Sequence, residues 1–151
     1  MSYLQLEDYY LTKLHIDFNY PEGNEAVVSD LSLDFDFDSL TGRDDPLRRL
    51  LTLRCKVHET AEDGSSVAHR IESEINGIFR IPEEIEKAHH EALLRVNGVS
   101  ILYSTLRGII GNLSGSFPAG RMCLPTILPQ EVVRRVEERR SDTGKKARKT
   151  P

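Results

Sequence analysis

NGVSILYSTLRGIIGNLSGSFPAGRMCLPTI, residues 97–127, is the stretch whose reading decides the fold. Asn97-Gly98 is a helix stop signal, and a new apolar helix is predicted from about 99 to 113. Ile101, Leu102, Leu106, Ile109, Ile110 and Leu113 recur at three- and four-residue spacing, which gathers them on one side of a 3.6-residue repeat. Arg107 is the only charge in that span, so this helix is expected to be buried on more than one side. Gly115, Pro118 and Gly120 then predict a turn, and a short extended run from Met122 to Leu124 closes on Pro125.

Upstream, Pro82 opens a preceding helix, with Glu83, Glu84 and Glu86 complementing its N-terminus. Ile85, Ala88, Ala92, Leu93 and Val96 form its apolar stripe. His89 and His90 are adjacent instead of four apart, so they read as surface histidines and not as metal ligands. Before that helix the period changes to two. Residues 4–20 place Leu4, Leu6, Tyr10, Leu14, Ile16, Phe18 and Tyr20 on one parity, with Asp8 and Thr12 interrupting it in the manner of a bulge. The connector 21–30 is too long for a tight hairpin and is expected to cross over other chain.

Leu31, Leu33, Phe35 and Phe37 alternate with Ser32, Asp34, Asp36 and Asp38 in the cleanest strand pattern of the chain. The three aspartates share one face about 7 Å apart. With no Gly turn or closing Glu they read as a solvated face that discourages edge pairing, not as a calcium loop. Leu51, Leu53, Cys55 and Val57 mark a third strand, Asp63-Gly64 a hairpin turn, and Val67, Ile71, Ile75, Phe79 and Ile81 a fourth, in which Gly77 is a bulge or a close-contact point. Strands first and helices afterwards predict an α+β domain, a four-stranded antiparallel sheet with helices packed on one face. A last charged helix follows from Gln130 to about Arg140, its apolar content limited to Val132, Val133 and Val136. One domain over 1–140 and a basic, disordered tail over 141–151 complete the organisation.

A hydrophobic content of 38% in 151 residues suits one soluble domain with one core. The N-terminus has no secretory signal pattern, and no apolar run approaches the ~18 residues of a membrane span. A cytoplasmic protein without membrane insertion is therefore expected. Cys55 and Cys123 stand singly in apolar contexts and read as buried, reduced thiols. From Arg134 onward eight Lys or Arg face three acidic residues, against twelve and twenty-one before it, so the tail is near +5 and the remainder near −9. That tail invites an electrostatic partner, but no aromatic residues are interleaved to stack bases, which weighs against nucleic acid.

The polar constellations of an enzyme do not assemble from the sequence. TGRDDP and DTGKK lack the glycine spacing of a phosphate loop, and in GNLSG the serine falls one place late for a nucleophile elbow. Ser114 and Ser116 read as turn formers, and Tyr103 with Arg107, four residues apart, as a pair that braces an interface. No catalytic residues, cofactor or metal are expected.

In their order along the chain, Gly77-Ile78-Phe79, Ile101-Leu102-Tyr103 with Arg107, Gly115-Ser116-Phe117-Pro118 and Leu124-Pro125 resemble the SecB family of bacterial export chaperones and its SecB-like relatives, over roughly residues 4–136. The resemblance implies a homo-oligomer, either a dimer or a dimer of dimers, in which sheet edges pair within dimers and the first long helix joins them. It also implies ATP-independent holding of unfolded polypeptide, including preproteins destined for export, in long apolar grooves. On that basis Val27, Val28, Leu31, Ile78, Phe79, Ile81, Phe117, Leu124, Ile127 and Leu128 are the client-binding candidates. Leu102, Tyr103, Leu106, Arg107 and Ile110 are the candidates for the oligomer interface.

The chain departs from the family in three places. Two of the acidic sheet positions that SecB offers to the SecA export motor read His15 and Asn19 here, with Glu72 retained; the acidic C-terminus is replaced by a basic one; and Thr126-Ile127-Leu128 follows the last proline. These departures weigh against coupling to SecA and make a SecB-like chaperone for another client, such as a toxin–antitoxin pair, the alternative to a general holdase. The alternative from a different class is a nucleic-acid or regulatory adaptor using the basic tail.

Overall fold

The computed structural model describes residues 3–18, 28–61, 67–117 and 122–148. Four long strands, β1 (Gln5–Phe18), β2 (Val28–Thr41), β3 (Arg48–Ala61) and β4 (Val67–Arg80), form one antiparallel sheet in the order β1-β4-β3-β2. β2, β3 and β4 are neighbours in sequence and in space, whereas β1 lies beyond β4, so β1 and β2 end at opposite edges. Most of the connector expected to cross over, and the Asp63-Gly64 turn, lie outside the described residues. Three short helical pieces, a 3-10 turn (Lys87–His89), α1 (His90–Leu93) and a π turn (Leu94–Gly98), lead without a break into α2 (Val99–Ser114). α3 (Pro129–Arg148) ends the described chain. The α+β class and the single-faced helix layer expected from the sequence are what the chain adopts.

The inward face of the sheet follows the two-residue period. Leu51, Leu53, Cys55 and Val57 of β3 and Ile71, Ile75 and Phe79 of β4 are essentially inaccessible, and Phe35 and Phe37 of β2 join them in one core. Onto this face α2 lowers Val99, Leu102, Tyr103, Leu106 and Ile110, with the Tyr103 ring edge-on to Phe35 at 5.5 Å between centroids. Two glycines let the helix come this close. A Cβ on Gly77 would lie 2.7 Å from Leu102 Cδ2 and 2.7 Å from Phe79 Cε2, and one on Gly98 would lie 2.7 Å from Leu51 Cδ2. Gly77 is thus a close-contact point, as its place in the strand pattern allows.

The same packing corrects the helix stop expected at Asn97-Gly98. Gly98 keeps right-handed helical angles and the helix runs on through it, because the absent side chain serves approach to β3 and not chain reversal. At its other end the helix begins later than expected. Pro82 opens a turn closed by the Ile85 N–H on its carbonyl, and Ala88 and Ala92 are exposed. His90 is buried, against the expected surface position, with Nε2 2.8 Å from the Ile85 carbonyl. Cys123 is exposed, against the expected burial, because Met122 and Leu124 on either side of it take the inward positions.

β1 carries two register shifts, between Leu6 and Asp8 and between Leu11 and Lys13. They exchange the two faces of the strand twice. Leu4, Leu6, Leu11, Leu14 and Ile16 therefore pack on the core, while Tyr10, expected inside, pairs with Asn76 and is 45% exposed. At the second shift the Thr12 hydroxyl donates to Glu74 and accepts from Asn76 Nδ2 at 2.9 Å. The outward face continues as a lattice of charges. Glu7 binds Arg80 at 2.8 Å and Arg48 at 2.9 Å, Lys13 binds Glu72 at 2.7 Å, and Arg54 binds Asp38 at 2.7 Å and Glu74 at 2.8 Å. Such pairs are individually weak and screened by salt, so the sheet is held from its inner side.

Two predictions follow from the core. Gly77→Val drives methyl groups into Leu102 and Phe79 and is expected to lower stability by about 1–3 kcal/mol in urea denaturation. Burial, with the charge of Asp34 adding to it, pushes the Cys55 thiol up to about 12. Burial first, and then the neighbouring Cys55, pushes the Tyr103 phenol up to about 12 against an opposing effect of Arg107. Both values are raised over ordinary ones of 9.0 and 10.0, so the stability these neutral groups add is complete below pH 9 and is lost as pH climbs toward 12. The urea midpoint should fall across that window, and less steeply in Tyr103→Phe.

Candidate functional site

α2 faces the returning chain with three polar side chains one and two turns apart. Tyr103 Oη donates to the Pro125 carbonyl at 2.6 Å, and Arg107 Nε donates to the Leu124 carbonyl at 2.9 Å. Ser114 Oγ, fully buried, accepts from the Met122 N–H at 2.7 Å. Together they lay residues 122–125 along the helix. The run expected to be a short strand pairs with no strand among the described residues, because its backbone groups are engaged by these side chains. Tyr103 and Arg107, read from the sequence as bracing an interface, have their polar groups bonded inside one chain. Ser114, read as a turn former, is the anchor that sequence reasoning missed.

The pinned segment launches α3. The Leu128 carbonyl accepts the N–H groups of Glu131 and Val132, and Val132, Val133 and Val136 turn into the core. α3 consequently lies beside β2, whose other side faces no strand among the described residues. Its helix continues to Arg148, eight residues past the expected end at Arg140 and into the segment 141–151 expected to be disordered. The reason lies in β2. Arg139 Nη1 binds Asp34 at 2.6 Å and donates through Nη2 to the Phe35 carbonyl; Arg140 Nη2 binds Asp36 at 2.9 Å and also donates to the Phe37 carbonyl. The Arg140 guanidinium stands 5.4 Å from the centre of the Phe37 ring. The three aspartates, read as a solvated face, are about half exposed but bound by arginines.

Between β2, residues 126–128 and α3 opens a groove of about 660 Å³. Leu33, Phe35, Ile127, Leu128, Val132 and Val136 give it an apolar lining, and Asp34, Glu131, Arg135, Glu138, Arg139 and Asp142 a charged rim of both signs. Leu128 is 67% exposed, a large apolar side chain left in water beside an apolar floor. Phe35 and Phe37 turn their carbonyls to the free edge of β2, and the two-residue period puts the backbone of Leu33 and Leu31 there as well. The site therefore combines a strand edge that faces no strand among the described residues, its Phe35 and Phe37 carbonyls taken by arginine side chains, with an apolar floor beside it.

Of the client-binding candidates, Ile127 and Leu128 line this groove, and Leu31 lies half-buried on the same face of the same strand. Phe79, Ile81 and Leu124 are core residues, almost inaccessible. Ile78 is on the outward face of β4 opposite Leu50, Phe117 is half-buried in the turn after α2, Val28 opens β2, and Val27 lies outside the described residues. Among the interface candidates Leu102, Leu106 and Ile110 are inaccessible and Tyr103 nearly so, while Arg107 is half-buried; what α2 leaves at its surface is Ile101, Ile109 and Leu113. Leu33, Phe35, Val132 and Val136 were visible as apolar positions in the sequence, but not as neighbours, since nothing in it says which strand is the free edge. Among the described residues no cluster of three or more His, Cys, Asp or Glu is placed to hold a metal ion. Ser114→Ala leaves the buried Met122 N–H without its acceptor and is expected to cost about 1–3 kcal/mol in stability, read by urea denaturation.

No protein-family model and no curated sequence matches the chain. Among solved structures, it is similar to the SecB-like chaperone Rv1957 of Mycobacterium tuberculosis, determined in complex with a ChAD peptide from the antitoxin Rv1956 HigA1. That likeness has a TM-score of 0.60 at 15% identity and covers 83% of this chain and 91% of the other. A protein of unknown function from Streptococcus agalactiae is similar at a TM-score of 0.46 and 11% identity, over 83% of this chain and 99% of the other. The fold of this chain, a four-stranded antiparallel sheet backed by helices, is SecB-like.

Proposed function

We propose that this protein is an ATP-independent chaperone that holds extended, non-native polypeptide in the groove between β2 and α3. The observation that carries the reading is the groove itself: about 660 Å³ of apolar-lined space along a strand edge that pairs with no other strand among the described residues. Holding of this kind requires no reacting groups. Apolar side chains of the client enter the floor, and its backbone pairs with β2. The floor residues are aliphatic or aromatic, without a shaped polar pocket, so they discriminate by alternation and size more than by identity.

A dedicated client is favoured over general preprotein traffic. The SecB-like neighbour is a chaperone bound to an antitoxin peptide, which supports a peptide client for this fold. Glu72, the acidic sheet position retained from the SecB pattern, is already engaged by Lys13, and His15 pairs with Asp17 at 3.0 Å, which supports a chaperone uncoupled from an export motor. Self-association remains part of the proposal, through the free sheet edge of β1 and the surface of α2 at Ile101, Ile109 and Leu113. The adaptor reading with nucleic acid draws no support from Arg134, Arg135, Arg139 and Arg140, which all bind carboxylates of the chain itself.

The test is direct. The protein should suppress light scattering of a denatured, aggregation-prone client at stoichiometric amounts without ATP, and bind a subset of extended peptides on an array. Leu128→Asp and Val132→Asp place a charge on the groove floor and should weaken peptide binding by about 1–3 kcal/mol, on the order of ten-fold or more, with the Leu128 variant remaining as stable as the parent. Unchanged binding in both variants would sink this groove as the client site.

A further inference from the structure

The inference here rests on the reading of the groove as a peptide site and concerns its control. Beyond Val136, α3 presents no buried residue through Lys145. What joins this half of the helix to the sheet is a short set of polar contacts, from Arg139 to Asp34 and the Phe35 carbonyl and from Arg140 to Asp36, Asp38 and the Phe37 carbonyl. A shallow, open depression of about 460 Å³ lies beside those contacts, lined by Asp36, Val136, Arg139, Arg140, Thr143 and Gly144.

We propose that the second half of α3 is a displaceable strap: Arg139 and Arg140 occupy the free edge of β2 as an added strand would, and a client strand that pairs beyond Leu33 must lift them off. The two carbonyls they take belong to alternate residues of one strand, the acceptors that a neighbouring strand would use. The aspartates beside those carbonyls hold the guanidinium groups in register. Each ion pair is about half exposed, so it is weak and screened by salt. Strap opening is therefore an equilibrium within reach of a peptide, and the apparent affinity of the client is reduced by the fraction of molecules in which the edge is covered. The apolar floor at Leu33, Ile127, Leu128 and Val132 lies to one side of the strap and is where a client makes first contact.

The strap makes an unusual prediction about sign. Binding of an uncharged, end-capped peptide should tighten as NaCl rises from about 20 to about 500 mM, because salt loosens the strap and has no charge on the ligand to screen. The experiment uses the full chain and an uncharged peptide chosen from the array, read by fluorescence anisotropy. Arg139→Gln/Arg140→Gln should bind on the order of ten-fold tighter than the parent at low salt and lose the salt dependence. Asp34→Asn/Asp36→Asn, which leaves the arginines in place, should move in the same direction and serves if the first variant does not fold. Equal affinity and equal salt response in parent and variants would overturn the strap while leaving the groove intact. Weaker binding in the arginine variant would also overturn it, by making those side chains part of the client surface. No binding by any of the proteins would remove the groove reading, and the strap with it.

Discussion

The close seating of α2 on β3 and β4 is the contact on which the rest of the molecule depends. It exists because two positions, Gly77 on the strand and Gly98 on the helix, carry no side chain where Leu102, Phe79 and Leu51 already fill the space. Once α2 is at that depth, Tyr103, Arg107 and Ser114 face the returning chain at the right height to bond residues 122–125. That bonded segment fixes where α3 starts, and the start of α3 fixes the width of the groove beside β2. A displacement of the helix would thus be passed through three hydrogen bonds to a surface on the far side of the core. Interiors packed to near-crystalline density transmit such shifts instead of absorbing them.

The sheet divides its labour by face. Its inner side is apolar apart from Ser73, whose hydroxyl is satisfied by the Cys55 carbonyl at 3.0 Å, and Arg49 at one end of β3, which binds Glu91 and the Pro46 carbonyl. Its outer side is a network of carboxylates and cations in which Glu7 is held below the usual carboxylate range, first by Arg80 and also by Arg48. Stability comes from the first face and solubility from the second. The groove lies at the border of β2, where the two meet, and its lining mixes aliphatic floor with charged rim for that reason.

Much of this was legible in the sequence where one period ran undisturbed. The alternation of residues 31–38 and 51–57 gave β2 and β3 with the correct inward residues, and the spacing from Ile101 to Ile110 gave α2. Legibility failed where a local signal had a long-range cause. Asn97-Gly98 has the composition of a stop, yet the glycine is there for Leu51, 47 residues away in the chain. Tyr10 has the parity of a core residue, but two bulges, each indicated by a polar interruption, return the strand to register with Leu11 inside. Arg139 and Arg140 read only as the charged end of the last helix because their partners lie on β2, and no spacing within that helix points to them. The groove was half visible for the same reason: Ile127 and Leu128 stood out as apolar residues beside a proline, while their opposite wall depended on strand order.

The two shifts in β1 have a meaning for the molecule as a whole. If the β2 groove holds extended chains as proposed, the protein is in danger of becoming a layer in whatever its client is building. Here the borders are unequal: β1 has two register shifts within eight residues, and β2 keeps one register from Asp30 to Thr41 and carries a row of carboxylates clasped by arginines. The two borders thus offer different surfaces to a neighbouring strand, and the twice-shifted margin of β1 is the poorer template for continuous edge-to-edge growth.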